Sequence, residues 1–108
     1  LKKMQSNEDS NEISTISDLY QKEKLIDPVN INDVIVIYKN DDKAIVKKEN
    51  DRAIYIYTNA QELKVGYSYN LQINQIFTFN GLKEVKEFAI LDEIKKIMEI
   101  SIAGELTN

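Results

Sequence analysis

The feature that most constrains this chain is a two-residue alternation that starts at Tyr67. Tyr67, Tyr69, Leu71, Ile73, Phe77 and Phe79 share one parity, while Ser68, Asn70, Gln72, Asn74 and Thr78 share the other. Successive side chains of a strand point to opposite faces, so the pattern predicts a long half-buried strand with one wet face and a core-facing aromatic stripe. Gln75 and Ile76 break the alternation, as a bulge or barrel bend does. Asn80-Gly81 follows directly. That dipeptide suits a primed hairpin turn, so residues 82–90 are expected to return as the next strand.

Upstream, three shorter strands are expected. Residues 34–38 (VIVIY) are apolar on both faces, which fits a strand covered on two sides or bent at a barrel corner. Residues 43–48 put Ile45 on one face and Ala44 with Val46 on the other. In residues 53–58, Ile54 and Ile56 alternate with Tyr55 and Tyr57. Asn40-Asp41-Asp42 and Glu49-Asn50-Asp51 supply the turns between them. Residues 59–66 predict a helix-like turn closed by Gly66.

Before the strands, Ile16, Leu19 and Tyr20, extended by Glu23 and Leu25, give a helical stripe that Ser14 or Ser17 can cap. Pro28 forces Asp27 out of the helical region and ends it. Beyond the last strand, Leu91, Ile94, Ile97 and Met98 fit a short helix over 91–98, whereas Ile100 and Ile102 alternate like a strand. An unpaired edge at 99–106 could mediate dimerisation. Residues 1–14 are polar and aperiodic, so they read as a flexible tether ahead of a single domain at 15–108. Such a tether suits an exported protein anchored by a lipid upstream of Leu1; it suits an interdomain linker equally.

The order of these elements resembles the oligonucleotide/oligosaccharide-binding (OB) barrel. That order is a three-strand meander, a helical link and a hairpin. The stretch from Ala53 to Val85 is similar to the middle of OB-type domains in bacterial exported proteins. The resemblance is carried by Leu63-Lys64-Val65-Gly66 entering the fourth strand and by the Phe79-Asn80-Gly81-Leu82 hairpin. It implies a mostly β, five-stranded OB-type (Greek-key) barrel with a short N-terminal helix. It also places a binding face on the second and third strands, flanked by the turns after the first and fourth.

On that face Tyr55 and Tyr57 stand one strand period apart, spaced to stack neighbouring bases or sugar rings. Lys47, Lys48 and Arg52 lie close by and could meet a phosphate backbone. Against this stands charge cancellation. Lys39, Lys43, Lys47, Lys48 and Arg52 share one stretch with Asp41, Asp42, Glu49 and Asp51, and the whole chain carries a net charge of −4. A mixed stretch of this kind is usually a solvated face, and nucleic-acid binding rests on clustered cations.

Catalysis is not expected. The 108 residues contain no cysteine and no histidine, which removes the commonest metal ligands and the usual general base at neutral pH. Three glycines, dispersed at 66, 81 and 104, cannot build a phosphate-cradling loop. The acidic pairs Asp41-Asp42 and Asp92-Glu93 lack the spacing of a calcium loop. The expectation is therefore a non-catalytic binding module without cofactor or metal. It binds single-stranded nucleic acid or, alternatively, serves as an extracytoplasmic interaction or structural module for a protein or glycan partner. No apolar run reaches the length of a bilayer span.

Overall fold

The computed structural model describes residues 12–96, excluding the side chains of Lys95 and Lys96. In chain order the elements are β1 (Glu12–Ile13), α1 (Ile16–Tyr20), β2 (Val29–Asn40), β3 (Lys43–Lys47), β4 (Ala53–Ile56), β5 (Tyr67–Phe79) and β6 (Leu82–Lys96). Hydrogen-bonded neighbours run β1-β2-β3-β4-β6-β5, and β5 pairs back onto β2. Strands β2 to β6 thereby form a closed five-stranded barrel of OB-type order, mostly antiparallel, with β4 and β6 parallel. The predicted fold class is the observed one.

Closure depends on two long, bent strands. β2 pairs with β5 through its first half, from Val29 to Ile35, and with β3 through its second half, from Ile35 to Asn40. Its bend falls between Ile31 and Val34, where the register shifts and Asp33 adopts φ 60°. Asn70 Oδ1 accepts the Asp33 N–H at 2.9 Å there, so the displaced amide is satisfied. The seam between β4 and β6 is much shorter, with Tyr55 opposite Glu84 and Ile56 opposite Val85. A further bond from the Tyr57 N–H to the Val85 carbonyl, at 2.9 Å, extends it.

The inward residues are those that strand alternation predicts. Val34 and Val36, Ala44 and Val46, Ile54 and Ile56, and Tyr69, Leu71 and Ile73 are all buried. At the end marked by the β3–β4 turn, α1 contributes Ile16 and Leu19 to this core. At the opposite end of the same ladder, Ala60 and Leu63 of the β4–β5 link do so, with the Ala60 N–H on the Asp42 carbonyl. That link holds two successive four-residue turns, Ala60 to Leu63 and Lys64 to Tyr67, with Gly66 at φ 88°.

Four expectations are corrected. The helix is one short element, ending at Tyr20 instead of Asp27, and its cap is Thr15, whose hydroxyl accepts the Asp18 N–H while Asp18 accepts the Thr15 N–H. Gln21 to Lys24 bring no apolar residue, so nothing rewards further helix. Second, the register shifts between Ile73 and Ile76 turn Ile76 inward, which carries Phe77 to a half-buried position and leaves Phe79 58% exposed, outside the expected core stripe. Third, residues 91–96 continue β6 and are not a helix. They pair with the first half of β5, and shifts beside Tyr69 and Leu71 distort the two-residue period into one that mimics a helix. Residues 97–98 of that expectation, and the edge at 99–106, lie outside the described residues. Fourth, the end of the polar N-terminal segment belongs to the fold: Glu12 and Ile13 pair with Val29 and Asn30, and Ser14 is buried. Residues 1–11 lie outside the described residues. No helix among the described residues is long and apolar enough to cross a membrane.

Candidate functional site

With Ala44, Val46, Ile54, Ile56, Ile76 and Val85 turned inward, their neighbours face out. The registers place Ile45 beside Tyr55, Tyr55 beside Glu84, and Glu84 beside Phe77. One row of outward side chains thus crosses β3, β4, β6 and β5. A cleft of about 350 Å³ lies on it, lined by Tyr20, Ile45, Ala53, Ile54, Tyr55, Leu82 and Glu84. Phe79 and Leu82, paired at the tip of the Asn80-Gly81 hairpin, extend its apolar rim. This is the face that the OB resemblance implies.

Glu84 stands out in this setting. The residue is only 7% exposed, its carboxyl oxygens keep some contact with solvent, and among the described residues no hydrogen bond or ion pair reaches them. Burial pushes that carboxyl above the ordinary range. Tyr20 forms the adjacent wall. Its hydroxyl donates to the Ala53 carbonyl at 2.7 Å, and the Arg52 guanidinium lies 3.5 Å from its ring centroid. Burial raises the Tyr20 hydroxyl pKa; Arg52 opposes that shift and Glu84 adds to it.

The other expected site residues are placed as follows. Tyr55 is half-buried in the cleft, while Tyr57 lies just past β4, 45% exposed. The Tyr57 ring meets Phe77 edge-on at 5.4 Å, and Lys43 Nζ lies 5.1 Å from its centroid. Lys47 Nζ donates to the Asp51 carbonyl at 2.6 Å, closing the β3–β4 turn. Lys48 Nζ donates to the Asn32 carbonyl. Arg52 stacks on Tyr20 and is not a lining residue of the cleft. The structure thus joins Tyr55 to the cleft, sets Tyr57 beside it, and engages each of the three cations with a neighbouring carbonyl or ring.

Two acids of the same stretch, Asp51 and Asp42, are also engaged. Asp51 accepts from the Ile16 N–H, the Ser17 N–H, the Ser17 hydroxyl and the Arg52 N–H, all between 2.7 and 3.1 Å. Burial pulls its pKa up, but the bonds from Ser17, Arg52 and Ile16 together outweigh this and leave it below the ordinary value. Asp42 accepts from the Thr58 hydroxyl and from Lys43, which lowers its pKa in that order of influence.

Sequence reasoning missed Tyr20, Ile45, Leu82 and Glu84 as site residues. Ile45 carried a usable signal, since it sits on the strand face opposite Ala44 and Val46. Glu84 carried none. Among the described residues no group of three or more acids is placed to hold a metal ion. A second hollow, between the β4–β5 link and β6, is lined by Asn59, Gln61, Glu62, Phe88 and Ile90. Comparison with protein-family models, with curated proteins and with solved structures finds no match for this chain.

Proposed function

We propose that this chain is a non-catalytic OB-type binding module that docks onto a protein partner through the outer face of β3, β4 and β6. One observation carries the reading: the cleft on that face is lined by Tyr20, Ile45, Tyr55 and Leu82 together with the unpaired acid Glu84, and is continued by exposed Phe79. An exposed apolar patch beside a shaped cleft is what a protein interface presents, with aromatic anchors at its centre. A phosphate backbone gains little there, because Glu84 repels it and Lys47, Lys48 and Arg52 already serve local bonds. The net charge of −4 points the same way. The resemblance to domains of bacterial exported proteins and the polar composition of the N-terminal residues belong to this proposal as well, in which the module works outside the cytoplasm.

Single-stranded nucleic acid is the second reading. It is favoured by Tyr55 in the cleft with Tyr57, Phe77 and Lys43 beside it, a run of rings and a cation on which bases could stack. Titrating the chain with short Leu-centred peptides and with labelled DNA and RNA oligonucleotides, at low and moderate salt, tests both. Peptide binding that varies little with salt and is lost in Tyr55→Ala combined with Leu82→Asp supports docking. Oligonucleotide binding that falls steeply with salt overturns it in favour of the second reading.

A further inference from the structure

Glu84 is an acid at a place where an acid costs stability. The row that holds it is otherwise apolar or aromatic, and Gln, Thr or Val would occupy an outward strand position there without a buried charge. A carboxylate hemmed in by apolar side chains loses part of its hydration, and a donor or a cation makes up the loss. Within the described residues the chain supplies neither. Lys83, the preceding residue, donates to the Thr78 hydroxyl at 3.0 Å. Arg52 is stacked on Tyr20, outside the cleft lining.

We infer that the cleft receives a lysine side chain of the partner protein, its ammonium on the Glu84 carboxylate and its stem along Ile45 and Leu82. This deepens the docking reading and rests on it. The chemistry matches group by group. A tetramethylene stem covers apolar walls while its charged end seeks an acid. Tyr20 and Tyr55 offer ring surfaces to a cation, and Tyr20 already carries one in Arg52. The acid is a lone carboxyl in the lining, which suits the compact ammonium of lysine better than the broad fork of arginine, whose five donors call for several acceptors. Charge complementarity to an acidic chain completes the match.

The test uses the full chain, ¹⁵N-labelled, titrated at low salt with acetyl-Leu-Lys-Leu-amide and with the counterpart in which norleucine replaces lysine. Norleucine keeps most of the stem and removes the charge. The lysine peptide is expected to shift the amides of Tyr55, Leu82 and Glu84 saturably and to bind at least about tenfold tighter than the norleucine peptide, as one well-formed charged contact gives. Glu84→Gln is expected to bring the lysine peptide down to the norleucine level, whereas Glu87→Gln, at an exposed position beyond the cleft lining, leaves it unchanged. Equal affinity for the two peptides overturns the lysine inference and leaves docking standing. If neither peptide shifts the cleft amides, both readings fall. Tighter binding of an arginine peptide than of the lysine peptide overturns the choice of lysine. The comparison of peptides is made on the unmodified chain, so it decides the matter even where Glu84→Gln perturbs the fold.

Discussion

Two carboxylates on neighbouring parts of the barrel, Asp51 and Glu84, show opposite uses of the same chemical group. Asp51 sits at the β3–β4 turn and accepts four bonds, three of them from α1. It ties the helix to the barrel end that Ile16 and Leu19 fill. Glu84 lies on the outer row of β6 with no partner among the described residues. Bonds outweigh burial at Asp51, and its carboxyl is held below the ordinary value; burial acts unopposed at Glu84 and lifts it. One acid builds the fold, and the other strains it at the surface that a ligand would reach.

Substitution should split the pair in sign as well as size. Asp51→Ala leaves four donors without their acceptor, and we expect a loss of about 3 kcal/mol in unfolding free energy, read from the urea midpoint. Glu84→Gln should do the reverse at pH 7, raising stability by up to about 1 kcal/mol because an unpaired, partly desolvated charge disappears. A loss of similar size would show that Glu84 is satisfied in the free protein and would dissolve the contrast.

The pH profile sharpens the comparison. The folded-state pKa of Asp51 is depressed, so its contribution is present above the unfolded value near 3.8 and is lost as pH falls through the folded value. The folded-state pKa of Glu84 is raised, so stability is greatest below the unfolded value near 4.5 and declines as pH rises through the folded value. Stability measured against pH should have a shallower acid limb in Asp51→Asn, where Asp42 still contributes, and should lose its decline above 4.5 in Glu84→Gln. Interchanged effects would refute the assignment. The smallest expected effect is that of Arg52→Ala, about 0.5 kcal/mol for an exposed cation on a ring. It should leave peptide binding at Glu84 nearly unchanged, since Arg52 is not a lining residue.

Most of the fold was legible because turns and alternation are local. Every non-glycine residue with positive φ among those described is Asp or Asn: Asp33, Asp41, Asn50, Asn59 and Asn80. Three of these marked the expected turns at 40–42, 49–51 and 80–81, since short polar side chains tolerate the left-handed region. Asp33 gives no such turn signal, because it directly precedes the apolar run that begins at Val34 and its bulge lies inside a strand. The tail of β6 misled for the same reason in reverse, as bulges spaced its apolar residues like a helix. The site was legible only in part. Tyr55 is outward-facing on local grounds, because Ile54 and Ile56 must be inside. Glu84 is one of eighteen acids, and its burial arises only when β6 closes against β4 and β5, a contact between residues far apart in sequence.

The brevity of the β4–β6 seam has a kinetic consequence. Two register pairs join strands separated by the whole β4–β5 link and β5, so the seam returns little pairing for the long loop it closes. Such contacts form late in folding and open early in unfolding. The cleft straddles this seam, with Tyr55 on one side and Glu84 on the other. An occupant touching both acts as a clasp across this thinly paired edge of the barrel, and its binding is therefore expected to appear first as a slower rate of opening.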